Sequence, residues 1–224
     1  MKMPSLPSLL VAPSLLACDF AHLAEEIRKV EEAGADWLHV DVMDGHFVPN
    51  LTMGPVVVEA IRRVSRIPLD VHLMLDHPQQ WLRPFLDVGV HYLTVHVEAP
   101  GLEQPAVLRN SLETIRKAKV GAGLSLRPKT DAESVRPFLD RVDLILVMSV
   151  EPGFGAQAFM PQVVPKVRML RQWFSGHLAV DGGINAKTGE QMRKAGANVL
   201  VAGTYVFRST SYRDAIQSLR APSG

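Results

Sequence analysis

Two polar side chains, His39 and Asp41, interrupt an apolar run near the start of the chain. The alternating valines of this run predict a buried β-strand, and Asp44 opens the loop that follows it. Because successive side chains of a strand point to opposite faces, His39, Asp41 and Met43 share one face. An imidazole beside a carboxylate can bind a metal ion or form a charged pair, and burying the two without a partner would cost free energy.

Polar side chains also stand at the ends of other predicted strands. His72 lies near the end of the third strand, His96 and Glu98 near the end of the fourth, and Asp181 ends the seventh. Such residues are unusual inside a β-barrel, whose interior is normally Val, Ile and Leu. Four of these side chains make a mixed nitrogen and oxygen ligand set for a divalent metal (Zn, Fe(II), Mn or Co) with open positions for a substrate: His39, Asp41, His72 and Asp181.

The elements that must position these side chains alternate along the chain. Each short apolar run is followed by an amphipathic stretch, which predicts a strand and then a helix. Alternating strands and helices imply a parallel sheet, and eight such units close into a barrel. We therefore expect one α/β domain, a (β/α)8 TIM barrel of residues 1–224. The strands are predicted at residues 9–16, 35–42, 68–75, 91–97, 120–126, 142–150, 178–181 and 198–201, and the helices at 20–33, 55–64, 78–88, 104–118, 132–139, 161–174, 186–195 and 211–219.

Glycine-rich turns follow the last three predicted strands. Backbone N–H groups can approach an anion closely at glycines, and barrels of this kind often hold a phosphate near strands seven and eight. Three such turns at adjacent strand ends favour a phosphate site over ordinary turns. The residues concerned are Gly153, Phe154, Gly155, Ala156, Gly182, Gly183, Gly203 and Thr204.

The composition excludes several classes of protein. The 24 basic and 23 acidic residues nearly cancel, which argues against binding to nucleic acid. No apolar run is long enough to span a membrane. The single cysteine, Cys18, cannot form an internal disulfide and fits a reducing, cytoplasmic compartment. The four residues that end at Cys18 resemble a lipoprotein cleavage box, but Pro4, Pro7 and Pro13 would break the apolar helix of such a leader.

Metal ligands, opposed carboxylates and a phosphate site suggest proton transfer beside the carbonyl group of a sugar phosphate. A divalent metal at the carbonyl oxygen acidifies the neighbouring C–H by stabilising the enediolate. Asp41 and Asp181 come from well-separated strands of the predicted barrel, so they can flank a planar intermediate. If one carboxylate removes a proton and the other returns one from the opposite face, a stereocentre is inverted.

Several long motifs in this order resemble the ribulose-phosphate 3-epimerase family over nearly the whole chain. This resemblance implies a metal-dependent epimerase that interconverts D-ribulose 5-phosphate and D-xylulose 5-phosphate in the pentose phosphate pathway. It also implies assembly into homodimers or hexamers. The motifs are APSLLACDF at residues 12–20, LHVDVMDGHFVPN at 38–50, LDVHLM at 69–74, MSVEPGFG at 148–155 and VDGGIN at 180–185.

The resemblance also implies roles for single residues. Asp41 would accept the proton and Asp181 would donate one, in addition to serving as metal ligands. Ser14 and His72 would contact the sugar, and the glycine turns would contact the phosphate. Three methionines at strand ends would surround the enediolate, where aprotic sulfur excludes water without offering a competing proton: Met43, Met74 and Met148. Asp44 and His46, in contrast, are interpreted as loop structure.

The sequence departs from the family pattern near the predicted phosphate site. Ala156 stands where a glycine is usual and Ala158 where a lysine is common, while the loop of residues 127–130 adds positive charge near the mouth of the site. These departures leave open a related activity, the epimerisation of a six-carbon ketose phosphate such as D-allulose 6-phosphate. A sugar-phosphate lyase or decarboxylase would commonly place a lysine at a strand end, and a non-catalytic phospho-sugar binder would not need two opposed carboxylates.

Overall fold

Eight parallel strands form the centre of the computed structural model, which describes residues 8–221. The predicted domain of residues 1–224 also includes residues 1–7, with Pro4 and Pro7, and residues 222–224, all of which lie outside the described residues. That the whole chain is one domain therefore stays a prediction. The strands are β1 (Leu10–Pro13), β2 (Leu38–Met43), β3 (Leu69–Met74), β4 (Tyr92–His96), β5 (Gly121–Leu126), β6 (Leu144–Met148), β7 (His177–Asp181) and β8 (Val199–Ala202).

The strands pair in an order that closes the sheet on itself. β1 pairs with β8, and the pairing then runs through consecutive strands down to β2. A parallel bridge between Ser14 and His39 joins the remaining edges, those of β1 and β2. The register sets Asp41 opposite His72 on β3, which places two of the predicted metal ligands side by side. The predicted (β/α)8 barrel is confirmed.

Helices follow the strands and cover the outside of the barrel. Two of them, α2 and α6, have the predicted bounds because their ends are marked: Pro55 occupies the first turn of α2, and the Asn185 side chain caps α6. None of the described helices combines the length and the apolar character needed to cross a membrane. The helices are α1 (Leu23–Glu32), α2 (Pro55–Val64), α3 (Leu82–Val88), α4 (Pro105–Lys117), α5 (Val164–Trp173), α6 (Ala186–Ala195), α7 (Thr204–Phe207) and α8 (Tyr212–Arg220).

The structure differs from the prediction after β5. The helix predicted at residues 132–139 is two short 3-10 turns, Ala132–Ser134 and Arg136–Phe138. Pro137 lies inside this stretch and has no N–H to donate to a preceding carbonyl, so an α-helix cannot continue through it. Conversely, the one-turn helix α7 after β8 has no counterpart among the predicted helices.

The two ends of the barrel are built differently. At the amino ends of the strands, the rings of Trp37 and Tyr92 stack with their centroids 4.5 Å apart, and His177 meets both rings edge-on. These three side chains form an aromatic plug, with Trp37 only 6% exposed. Interior side chains such as Leu144 and Leu146 are fully buried. A ligand can therefore reach the barrel interior from the other end, where the strands finish.

Candidate active site

Four predicted ligands converge at the carboxyl ends of the strands. β2 supplies His39 and Asp41, β3 supplies His72, and β7 supplies Asp181. One nitrogen or oxygen from each of these side chains lies within 4.8 Å of the corresponding atoms of the other three. The strand period of two turns His39 and Asp41 to the same face, as the sequence predicts. The arrangement has the size of a single cation site.

His39 is oriented through the nitrogen that faces away from the cluster. Its Nδ1 lies 2.8 Å from Oδ2 of Asp70, a fully buried carboxylate at the start of β3. An ionised carboxylate can only accept, so Nδ1 carries the hydrogen and Nε2 carries the lone pair when the ring is neutral. That Nε2 is buried and has no hydrogen-bond partner among the described residues, and it lies 3.3 Å from Oδ1 of Asp41.

Asp41 is held as an anion by its neighbours. The Ser14 hydroxyl donates to its Oδ2 over 2.6 Å, and Nδ1 of His72 lies 3.2 Å from its Oδ1. Burial alone would raise the pKa of this carboxyl group, but His39 and then His72 outweigh burial and lower the pKa. Asp41 is therefore ionised at neutral pH.

Asp181 carries the same functional group in different surroundings. Burial, followed by the negative charge of Asp41, raises the pKa of Asp181 to about 7. Its backbone carbonyl accepts hydrogen bonds from both the N–H and the hydroxyl group of Ser149, at 2.7 and 2.8 Å. The end of β7 is thereby fixed to the end of β6, and the two carboxyl groups favour opposite protonation states.

The donor set fits a divalent cation. A buried Nε2 without a partner among the described residues, an ionised carboxylate and a second carboxyl group point into one small volume. Burial disfavours protonation of His39, but the charges of Asp41 and Asp70 outweigh it and raise the pKa of His39 well above its usual range. The volume therefore attracts positive charge. Imidazole nitrogen and carboxylate oxygen suit Zn, Fe(II), Mn and Co.

The three predicted methionines lie around the mouth of this cluster. Met43 and Met74 are opposite each other on β2 and β3 and pack with Val48 of the following loop. Met148 ends β6 and is opposite Asp181. All three line a cavity of about 950 Å³ together with Ser14, Asp41 and Asp181. The structure thus brings the methionines next to the two carboxyl groups, while His39 and His72 are fully buried.

The predicted phosphate turns line the same cavity. Gly182 and Gly183 have φ angles of +116° and +62°, and a Cβ atom on Gly183 would lie 2.6 Å from the backbone nitrogen of Phe159. Only glycine fits there without a backbone shift. In the turn after β6, Ala156 adopts a φ of +60°. The remaining residues of the three turns that line the cavity are Gly153, Phe154, Gly155, Gly203 and Thr204.

The cationic side chains of the loop of residues 127–130 do not line this cavity. Arg127 lies over the Phe47 ring, 4.3 Å from its centroid, and donates to the Phe47 carbonyl oxygen. Lys129 lies 3.9 Å from a carboxylate oxygen of Glu151. Among the described residues that line the cavity, Arg208, just after α7, is the one with a cationic side chain.

Asp44 and His46 belong to loop structure, as interpreted from the sequence. Asp44 accepts hydrogen bonds from the backbone N–H groups of His46, Phe47 and Asp76, and this pins the loop after β2 to the loop after β3. Neither residue lines the cavity.

Sequence reasoning gives no role to Asp70, His96 and Glu98. Asp70 contacts His39 and His96 contacts His72, while Glu98 contacts His96. Nε2 of His96 lies 2.8 Å from Nε2 of His72, and Nδ1 of His96 lies 3.0 Å from Glu98. One signal in the sequence could have found them: a histidine and a carboxylate alternate on three successive strands, as H-V-D, D-V-H and H-V-E.

Known proteins resemble this chain over nearly its whole length. A model of the ribulose-phosphate 3 epimerase family matches residues 10–207. A ribulose-phosphate 3-epimerase of Synechocystis sp. is 45% identical, and the match covers 95% of this chain and 94% of that protein. One from Bacillus subtilis is 42% identical, with 94% and 97% covered.

A solved structure supports the fold alone. KGPDC from Streptococcus mutans superposes with a TM-score of 0.71 at 13% sequence identity, and the match covers 96% of each chain. The family match, in contrast, includes all eight strands and every predicted site residue. The chain belongs to the ribulose-phosphate 3-epimerase family.

Proposed function

We propose that this chain inverts the configuration at C3 of D-ribulose 5-phosphate to give D-xylulose 5-phosphate, a step of the pentose phosphate pathway. The observation that carries the proposal is the convergence of His39, Asp41, His72 and Asp181 at the mouth of the barrel. Membership of the epimerase family, with relatives 42–46% identical over nearly the whole chain, supports the same reaction.

Asp41 and Asp181 are the two proton-transferring groups of this proposal. The lowered pKa of Asp41 keeps it ready to accept the C3 proton, and the raised pKa of Asp181 keeps a proton available to donate. Because they come from β2 and β7, they can act on opposite faces of a planar intermediate. In the reverse direction their roles exchange.

His39 and His72 would hold a divalent cation together with one carboxyl oxygen each of Asp41 and Asp181. When bound, this cation stabilises the negative charge that develops on the carbonyl oxygen as the proton leaves C3. We propose one such ion per subunit, drawn from Zn, Fe(II), Mn and Co. Ser14 fixes the orientation of Asp41 and stands at the cavity wall, where a substrate hydroxyl would contact it.

The remaining predicted residues shape the substrate pocket. Met43, Met74 and Met148 present aprotic surface to the reacting carbons and exclude water. The backbone N–H groups of the three glycine turns would bind the phosphate. The turn after β6 is held in shape by Gln157, whose side chain donates to the carbonyl oxygens of Glu151 and Phe154.

Exchange of the C3 proton with solvent, measured from each substrate separately, tests the proposal that two carboxyl groups transfer protons. In D₂O the wild-type enzyme should place deuterium at C3 of the product. Asp181→Asn should still wash the C3 proton out of D-ribulose 5-phosphate, while Asp41→Asn should do so only from D-xylulose 5-phosphate. Neither variant should form epimer. Loss of the C3 proton from D-xylulose 5-phosphate in Asp181→Asn, or from D-ribulose 5-phosphate in Asp41→Asn, would exclude the mutated carboxyl group from its proposed role. Epimer formation at the wild-type rate would do the same.

Two controls accompany this experiment. Asp87→Asn removes an exposed carboxylate on α3 and should leave exchange unchanged. Because both aspartates are also proposed metal ligands, the metal content of each variant is measured alongside.

Assaying D-allulose 6-phosphate in parallel tests the six-carbon alternative, since a higher kcat/KM on it would replace D-ribulose 5-phosphate as substrate.

The proposal extends to the compartment and the assembly state of the enzyme. A single cysteine fits a cytoplasmic enzyme. We propose a homo-oligomer, a dimer or a hexamer, which the mass of the particle in solution would test.

A further inference from the structure

A chain of three side chains runs from the cluster into the barrel wall. His72 points its Nδ1 at Asp41 and its Nε2 at Nε2 of His96, 2.8 Å away. Nδ1 of His96 lies 3.0 Å from Oε2 of Glu98. The backbone N–H of Arg127 donates to the other oxygen, Oε1, over 2.7 Å and so ends the chain.

The partners at the far end decide where the hydrogens lie. Glu98 receives the backbone N–H of Arg127 at one oxygen and faces His96 with the other. Burial alone would raise the pKa of its carboxyl group, but His96 and then the Arg127 N–H outweigh burial and lower the pKa to about 2, so Glu98 is an ionised acceptor. Nδ1 of His96 must then carry a hydrogen, which leaves Nε2 of a neutral His96 as an acceptor. Nε2 of His72 faces that acceptor, so Nε2 carries the hydrogen of His72. When a cation, rather than a hydrogen, lies between Nδ1 of His72 and Asp41, this pattern leaves the lone pair of a neutral His72 on Nδ1 to bind it.

Neighbouring groups shield this chain from water. The Phe47 ring lies against His96 with centroids 4.9 Å apart, and the Arg127 guanidinium covers the other side of Phe47. Nζ of Lys166 donates to the carbonyl oxygens of Arg127 and Pro128, at 2.8 Å each, and holds this loop down. His72 and His96 are both 0% exposed. Burial of both rings strengthens the hydrogen bond between them.

We infer that His96 and Glu98 are positioning residues that fix the tautomer of His72 and so present its Nδ1 to the cation. This rests on the proposed metal-dependent function. His39 and His72 then offer different ring nitrogens to the cation, Nε2 of His39 and Nδ1 of His72. Asp70 holds His39 directly at Nδ1 and leaves Nε2 without a hydrogen-bond partner among the described residues, whereas Glu98 acts on His72 through a second imidazole and directs Nδ1 toward Asp41.

Metal affinity is the first readout of the test. Outer partners of metal-bound histidines typically change affinity about 10- to 100-fold when they are mutated. The metal-free enzyme is titrated with Zn²⁺ and with Co²⁺ against a competing chelator. His96→Phe, which removes the acceptor, should lose affinity by a factor in that range. His96→Gln, whose amide oxygen can accept from Nε2 of His72, should recover most of the loss.

Two further variants separate positioning from folding. Thr94→Val changes an inward residue two positions earlier on β4, whose buried hydroxyl has no hydrogen-bond partner among the described residues, and should leave affinity unchanged. Glu98→Gln keeps the shape of the chain, removes the charge and should weaken metal binding even if His96→Phe fails to fold. The visible spectrum of bound Co²⁺ should shift in Glu98→Gln and His96→Phe but not in Thr94→Val.

The position of the proton gives a direct second readout. Long-range ¹H–¹⁵N correlation spectra of the Zn²⁺-loaded enzyme should show His72 with hydrogen on Nε2 and metal on Nδ1. The reverse assignment would overturn the inference, as would unchanged metal affinity in both Glu98→Gln and His96→Phe. If the wild-type enzyme itself binds none of the divalent cations, the proposed function fails instead, so the two failures are distinguishable.

Discussion

The identity of a side chain at this site matters less than what surrounds it. Asp41 and Asp181 bear the same carboxyl group, yet hydrogen bonds and imidazoles lower the pKa of one, while burial and a like charge raise the pKa of the other to about 7. Groups whose environments separate their pKa values in this way are suited to acid and base roles in one reaction. The surroundings of a charged side chain matter in the same way for a cation near the predicted phosphate turns.

Arg208 is the residue whose charge we expect to matter most for phosphate binding. It is exposed, lines the cavity beside the turn after β8, and its side chain makes no hydrogen bond or ion pair with other described residues. Arg208→Gln should raise KM for the phosphorylated substrate roughly 10- to 150-fold, as expected for a lost hydrogen bond to a charged group, with kcat nearly unchanged.

A matched control separates local from general charge. Arg168→Gln removes an exposed guanidinium on α5 that does not line the cavity, and its KM should equal that of wild type. The KM of the wild-type enzyme should also rise with salt more steeply than that of Arg208→Gln, because screening acts on the charge that the variant lacks. Equal salt dependence would argue against a role for Arg208.

At the scale of elements, strand ends are predictable from the sequence and contacts between strands are not. Alternating Val and Asp in β2 predict its inward face, and Pro55 marks the start of α2 by its residue type alone. The contact between His72 and His96 depends instead on the β3–β4 register, which sets His72 opposite Thr94, and on the rotamers of both rings. The roles of the site residues stay predictions until the variants are measured.

A prediction at the scale of elements concerns the turn after β6. Ala156 already adopts the left-handed conformation that a glycine would take, with φ of +60°. Ala156→Gly should therefore leave the KM for the phosphorylated substrate within about threefold of wild type. The strain relieved is about 1 to 2 kcal/mol, offset in part by the greater freedom of glycine in the unfolded chain.

The companion variant is Ala156→Val. A β-branched side chain is a genuine outlier at positive φ, so the turn should change shape and KM should rise. Steady-state kinetics on both variants compare them directly. If Ala156→Gly instead improved KM more than tenfold, the alanine itself would be limiting phosphate binding.

At the scale of the whole molecule, the cluster that could hold a cation connects parts of the barrel that are distant in sequence. Its side chains come from β2, β3 and β7, so an ion bound there would link both sides of the closed sheet. A ligand that binds only the folded state stabilises that state more as its concentration rises above its dissociation constant. Stability and metal loading should therefore change together.

Removing the metal with a chelator and measuring the stability of the protein tests this expectation. Removing a metal present at 100 times its dissociation constant should cost about 2.7 kcal/mol of unfolding free energy, and Tm should fall by roughly 5 to 10 °C in a chain of this size. Re-adding Zn²⁺, Mn²⁺ or Co²⁺ should restore Tm and activity together. His39→Asn should show little response to the chelator, and a response equal to wild type would place the ion elsewhere.

The aromatic plug at the closed end of the barrel gives the protein a built-in optical reporter. Trp37 is 6% exposed and stacks on Tyr92 at the opposite end from the metal ligands, whereas Trp81 is 47% exposed on the surface. Quenchers in solution would dim Trp81 and the partly buried Trp173 first and reach Trp37 last. Its fluorescence would therefore register the opening of the barrel itself and stay unaffected by chemistry at the mouth.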